Sequence, residues 1–472
     1  MRGRHAGTVA FAPMRTGGVS FWWNEIGLPE RRPPLPGGLD VDVAIVGAGY
    51  TGLWTAYYLK KAAPTLSIAI LEREFAGFGA SGRNGGWCSG LLEGPRPLYA
   101  EGPEGDAGVR RLVRAMFDTV YEIERVVERE AIDCDWVLGG NMAVAQSAPQ
   151  LARVREHVAY EQRWGATDED VRMLDAAACS EHLRVDRIEG GSYSPHCSRI
   201  QPAKLVRGLA AAVEALGVPI YESTPVTRIE PRIASTPHGD VRADWVVRCT
   251  EGYTAGLEGE RRTLVPMNSS MIVTTPLPRE AWDEIGWSGA ETVLDGSHFY
   301  AYLQRTADGR IAIGGRGKPY RFGSKTDSQG ETPEETAAQL HQVLQGLFPA
   351  AAGAPVDYAW SGVLGVPRDW CPRVLADPDT GLASAGGYSG HGVSTANLCG
   401  RIVADLVRGE TGSELATLPF AHRPVRKWEP EPLRWASIHT MYRLYRRADR
   451  AEARTGRASL TAKVADRLLG RH

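Results

Sequence analysis

The chain reads as an α/β protein: a doubly wound, Rossmann-like dinucleotide-binding domain built from discontinuous segments, joined to a second domain of antiparallel sheet plus helix. Three observations predict this. Val41–Leu59 reads V-D-V-A-I-V-G-A-G-Y-T-G-L-W-T-A-Y-Y-L, an apolar strand that turns through glycines into a helix, and the next strand, Ser67–Leu71, ends at the acid Glu72. Two further glycine-rich turns, Gly79–Gly86 and Gly386–Gly392, offer additional helix starts. Between them, His298–Arg305 and Arg310–Arg316 flank Asp308-Gly309, a hairpin signal.

Bulk properties set the frame. A length of 472 residues exceeds one ordinary core, so two domains are expected. A net charge of −2 argues against a general nucleic-acid binder. The 54 glycines suit a backbone that approaches a large ligand closely. Cys88, Cys134, Cys179, Cys197, Cys249, Cys371 and Cys399 are odd in number and lack C-x-x-C spacing, so reduced thiols are expected, with no disulfide frame and no metal site. Arg2, Arg4 and His5 are followed by no sustained apolar core, which makes a poor signal peptide, and a cytoplasmic protein is expected.

In chain order, residues 1–39 read as an extension. It carries an aromatic plug, Phe21-Trp22-Trp23, expected to cover apolar surface, and a linker, Arg31–Gly38. In the first glycine turn, Gly47 permits the tight bend, Gly49 lets backbone approach a pyrophosphate and Gly52 lets the helix sit close on the strand. Glu72 is placed to accept from ribose hydroxyls. Ala107–Glu130 has helical spacing, with Leu112, Met116, Val120, Ile123 and Val127 on one face. Asn141–Gln146 suits a strand and Pro149–Trp164 a helix. Gln201–Leu216 is a helix closed by Gly217; Val218–Tyr221 and Val241–Arg248 are strands. Met271–Thr275 and the hairpin are strand-like, and Pro333–Leu347 is helical. The expected organisation is a nucleotide domain from 40–104, 186–265 and 354–412, a substrate domain from 105–185 and 266–353, and a helical tail, 413–472. From Ala436 onward that tail has nine Lys/Arg against three Asp/Glu, read as a solvated helix with Met441, Leu444 and Tyr445 inward; membrane contact is not expected.

One glycine fingerprint serves NAD or FAD. The two extra glycine turns favour the longer flavin, which requires contacts at pyrophosphate, ribityl chain and ring. A helix N-terminus also stabilises the charge of a reduced flavin.

On G-A-G-Y-T-G-L-W-T-A-Y-Y-L, G-A-S-G-R-N-G-G-W and G-Y-S-G-H-G-V-S-T-A, the chain resembles the D-amino-acid-oxidase-type family of FAD-dependent oxidoreductases, in the branch of gamma-glutamylputrescine oxidase and sarcosine oxidase relatives. The resemblance spans about 40–410. It implies FAD contacts at Gly47, Gly49, Tyr50, Thr51, Gly52, Glu72, Ser81, Arg83, Asn84, Gly85 and Gly86, at backbone Val226, and at the late loop with Gly387, Gly390, His391, Gly392, Val393 and Ser394. It implies oxidation of the C–N bond of a small amine or amino acid, with electrons passing to oxygen or another acceptor. No cysteine stands at Ser361–Gly362, where some relatives attach flavin covalently, so non-covalent FAD is expected. Ser394 replaces a lysine of the sarcosine-oxidase relatives. Glu251 replaces a smaller turn residue and is expected to be exposed.

Two features nominate substrate residues. If Asp308-Gly309 pairs Thr306 with Arg310, Tyr302 lies opposite Gly314 and Tyr300 opposite Arg316, a polar-aromatic wall with Phe299, Ala301, Leu303, Ile311 and Ile313 on the other face. His391, flanked by glycines, is nominated beside the flavin. Rival readings are an FAD dehydrogenase of another small acid that uses a quinone or electron-transfer partner, and a non-catalytic FAD-binding redox sensor.

Overall fold

The computed structural model describes residues 14–462 apart from Arg316, Lys318, Ser328 and His422. The nucleotide sheet has eight strands. Its parallel centre runs, side by side, through Leu382–Gly386, Gly239–Arg248, Leu39–Val46, Ile68–Leu71 and Ile220–Tyr221. At the centre of the sheet residues 43–46, Ile68–Leu71 and residues 246–247 are apolar and buried because both faces are covered. Tyr50–Ala62 packs against Gly392–Val407 and against Pro202–Ala215, whose N-cap Gln201 accepts from Lys204 N.

The second sheet has nine strands, ordered Arg15–Thr16, Val356–Val366, Val265–Thr274, Ile311–Gly315, Tyr302–Arg305, Thr292–Asp295, Asn141–Ala145, Gly190–Ser194 and Arg172–Asp175. It is mostly antiparallel, with parallel pairs at Arg15–Thr16 on Val356–Val366 and at Thr292–Asp295 on Asn141–Ala145. Helix Glu334–Leu347 buries Ala337, Leu340, Leu344 and Leu347 against Ile272, Ile311 and Ile313. The hairpin register is the one the Asp-Gly turn dictates: Thr306 N donates to the Arg310 carbonyl and Tyr302 pairs with Gly314.

Several expectations are corrected. Gly190–Ser194 and Val356–Val366 belong to the nine-stranded sheet, not to the nucleotide sheet; an apolar run fits either sheet, and cross-strand pairing decides. Helix Gly105–Arg129 buries all five residues of its apolar face, but against Gly392–Val407 on the nucleotide side. The strand expected from His298 begins only at Tyr302. Carboxylates take the preceding backbone donors: Asp449 accepts from His298 N and Phe299 N, and Asp295 from Ala301 N.

The N-terminal segment is also more than an extension. It adds an edge strand, and Phe21–Ile26 is a helix capped by Ser20 whose three aromatic residues are buried. Tail helix Leu433–Thr455 buries Ile438 and Ala448 and leaves Met441, Leu444 and Tyr445 half-buried. No helix of the described residues is long and apolar enough to cross a membrane.

Candidate active site

An elongated cavity runs along the carboxyl ends of the nucleotide strands. At its first turn, Gly47 has φ +107°, and a Cβ there would lie 2.7 Å from the Cys249 carbonyl oxygen. A Cβ on Gly52 would run into the Gly47 carbonyl, so the helix can approach only as glycine. Gly49 caps helix Tyr50–Ala62 without a side chain, leaving the helix start open to the cavity. Glu72 lines the cavity and accepts from Ala48 N and Glu74 N, both at 2.8 Å. Burial raises its carboxyl above the usual carboxylate range, against the opposing pull of those two amides.

Loop Gly79–Gly86 is held from behind. Ser81 Oγ accepts from Tyr50 N (2.9 Å), and Asn84 Oδ1 accepts from Gly86 N (2.8 Å). The aromatic plug forms its backing: Trp22 Nε1 donates to the Asn84 carbonyl, Trp360 Nε1 to the Arg83 carbonyl and Ser20 Oγ to the Gly82 carbonyl. Arg83 is 2% exposed, and its Nε donates to the Phe78 carbonyl and its Nη1 to that of Ser361. It anchors this loop to the nine-stranded sheet. Gln304 Nε2 ties the hairpin to the same loop through the Gly85 carbonyl (2.7 Å). Sequence reasoning missed Gln304, Trp360 and Ser20; only the aromatic run at 21–23 signalled part of this support.

The late loop is built on a half-buried acid. Glu251 is not exposed: its carboxylate accepts from Gly387 N (3.2 Å) and Tyr388 N (3.0 Å), and burial pushes it up to about 7. Thr51 Oγ1 and the Tyr388 hydroxyl, 3.0 Å apart, tie this loop to the first helix. His391 precedes helix Gly392–Val407, its Nε2 3.4 Å from Glu93 Oε2.

A second chamber opens beside the first. The two share Ala80, Asn84, Leu364, Gly390 and Val393. Tyr300, Tyr302, Trp87, Met271 and His391 wall the chamber. Trp87 and Tyr302 meet edge to face at 6.0 Å, and the Tyr302 hydroxyl is 2.8 Å from Ser269 Oγ. Gly85 is required here, because a Cβ would lie 2.7 Å from the Tyr302 ring.

Most nominated residues therefore converge. Gly47, Gly49, Tyr50, Thr51, Glu72, Ser81, Val226 and Gly392 line the elongated cavity, Arg83, Gly85 and His391 the chamber, and Asn84, Gly390 and Val393 both. Four line neither. Gly52 and Gly86 serve packing, Gly387 donates to Glu251, and the Ser394 hydroxyl donates back to the Ser89 carbonyl. Arg316 lies outside the described residues.

The chain matches the FAD dependent oxidoreductase (DAO) family over residues 42–406. It belongs to that family. This FAD-dependent oxidoreductase is 31% identical to the gamma-glutamylputrescine oxidoreductase of Escherichia coli (strain K12) over 388 residues, covering 81% of this chain and 87% of the relative. It is also 31% identical over 406 residues to the probable oxidoreductase OrdL of Rhizobium meliloti (strain 1021), covering 83% and 89%. Glycine oxidase from Geobacillus kaustophilus has the same fold, with a TM-score of 0.67 at 23% identity over 82% of this chain and 100% of that one.

FAD is the cofactor of this family, and the elongated cavity fits it: an open helix start, glycines where side chains would collide, and an acid at the end of the second strand.

Proposed function

We propose that this oxidoreductase oxidises the C–N bond of a small amine or amino acid. The observation that carries the reading is the junction of the two cavities at Asn84, Gly390 and Val393, where a ligand in the chamber would lie against a cofactor held in the first cavity. The names of the relatives, a gamma-glutamylputrescine oxidoreductase and, at 26% identity, a glycine oxidase, support an amine-bearing substrate. FAD supplies the hydride acceptor. The substrate loses a hydride from the carbon next to nitrogen and a proton from nitrogen; water then hydrolyses the imine to a carbonyl compound and a free amine or ammonia. Oxygen or another acceptor would finally take the two electrons.

The chain's part is positioning and exclusion. Tyr300, Tyr302, Trp87 and Met271 form an apolar wall that keeps bulk water from the reacting carbon. His391 stands at the chamber side of the junction, its imidazole oriented by Glu93, where it shapes the electrostatics of the substrate nitrogen. Arg316, adjacent in sequence to strand Ile311–Gly315, is proposed as the anchor for a substrate carboxylate, which its guanidinium fork would bind bidentately. FAD is held non-covalently: of the cysteines, Cys249 alone lines either cavity, and burial pushes its thiol up to about 12, which suppresses the reactive thiolate.

Anaerobic mixing of the yellow holoenzyme with a panel of amines and amino acids tests the reading. Bleaching by at least one is expected, followed by reoxidation in air with peroxide if oxygen is the acceptor. A flavin that no amine bleaches overturns it. Acid precipitation should leave FAD in the supernatant; a coloured pellet overturns non-covalent binding.

A further inference from the structure

The helix Leu433–Thr455 lies wholly beyond the family match, which ends at residue 406, yet it grips one stretch of the chamber wall. That stretch is the loop between strands Thr292–Asp295 and Tyr302–Arg305, which carries Tyr300. Asp449 accepts from the amides of His298 (2.9 Å) and Phe299 (3.0 Å) with its two carboxylate oxygens. His298 stacks on Tyr445 at 5.8 Å, and Phe299 meets Tyr442 edge to face at 5.2 Å. Glu452 lies 3.1 Å from His298 Nε2 and accepts from Arg153, which itself donates to the Gly296 carbonyl. The two residues before Tyr300 are thus held by the tail through backbone and ring alike.

We propose that Asp449 is a positioning residue for Tyr300, and that the tail helix thereby sets the shape and selectivity of the substrate chamber. The physical reason is local. The loop amides at 298 and 299 have no strand partner, so without Asp449 they must turn to water or leave their present geometry. Tyr300 follows directly in the chain and has no regular strand around it until Tyr302. Its place in the wall is set by the clamp on the preceding two residues and by Asp295, which accepts from Ala301 N (2.6 Å) on the other side.

A metal does not account for the same cluster. His298, Asp449 and Glu452 bring ligating atoms within 4.8 Å of one another, but the Arg153 guanidinium already stands among them, 2.7 Å from Glu452 and 2.9 Å from His298 Nε2. The cation of this cluster is the arginine, and the cluster is a mechanical joint.

The inference rests on the chamber being the substrate site, so its test has two arms, both on FAD-loaded protein. The first requires no substrate. Asp449→Ala should raise amide hydrogen exchange across 296–301 while leaving strand Leu39–Val46 and flavin content unchanged; unchanged protection of 296–301 overturns the clamp. The second uses whichever amine bleaches the parent flavin. Asp449→Ala should raise the Kd for reductive binding about three- to tenfold, the scale of one displaced aromatic contact, with the limiting reduction rate nearly kept. Tyr300→Ala should do the same, and the double variant should be no worse than Tyr300→Ala. Additive losses mean that Asp449 does not act through Tyr300 and overturn the proposal. Should Asp449→Ala lose flavin, Asp449→Asn, which keeps one acceptor, should show an intermediate Kd; a parental value overturns it. Failure of every amine to bleach the parent would refute the proposed function, while the exchange arm still decides the clamp.

Discussion

Glu251→Gln tests the electrostatics beneath the late loop. Burial outweighs the amides of Tyr388 and Gly387 and the nearby Arg248, all of which favour the charged form, and pushes Glu251 from 4.5 up to about 7. Between those values the folded chain retains a proton that the unfolded chain has released. Stability therefore falls as pH rises through this window, and the loss is complete above about 7. The difference between 4.5 and 7 corresponds to roughly 3 kcal/mol. Glutamine cannot ionise, but it offers one acceptor oxygen to two amides, which costs about 1 kcal/mol at every pH. In flavin-free protein the variant should be about 1 kcal/mol less stable than the parent near pH 4 and about 2 kcal/mol more stable near pH 8, the curves crossing at about pH 5. Urea unfolding at several pH values measures this. Other acids contribute equally to parent and variant, so only the difference counts. A difference constant across pH would refute the reasoning.

Three other outcomes are expected. Glu72→Ala should weaken FAD by about 1–3 kcal/mol in a flavin-fluorescence titration and also destabilise the flavin-free protein, because Ala48 N and Glu74 N lose their acceptor. Trp22→Phe removes one hydrogen bond, to the Asn84 carbonyl, and should cost about 1 kcal/mol of thermal stability; Trp22→Ala should cost about 3–5 kcal/mol as a large cavity opens behind the flavin loop. Gly85→Ala should slow flavin reduction with FAD content kept, and Tyr302→Ala in the same chain should relieve the collision and restore part of the rate.

The first glycine turn was readable from spacing because its geometry admits almost no other residue: a Cβ at Gly52 collides with the turn itself. The hairpin register was readable because an Asp-Gly turn leaves one pairing. The apolar face of Gly105–Arg129 was equally clear, but periodicity reports that a face is buried and not what buries it. The same limit misplaced Val356–Val366. Glu251 stood out in the sequence but was read as exposed, and Gln304 gave no signal, since a lone polar residue becomes meaningful only when a segment over a hundred residues away brings it a partner. Asp449 lay in a stretch read as solvated surface, and its role depends on a loop about 150 residues earlier.

The backing of the flavin loop joins opposite ends of the chain. Trp22 and Trp360 meet edge to face at 5.6 Å, and Arg15 pairs with Tyr358. A ribosome therefore releases the aromatic run early and its counterpart more than three hundred residues later. Trp23 already has Phe75 against it by then, but Phe21 and Trp22 still lack Tyr358 and Trp360, and loop Gly79–Gly86 has only half of its support. The backing of the flavin loop is accordingly completed only in the nearly finished chain, when Trp360 reaches Trp22 and the Arg83 carbonyl.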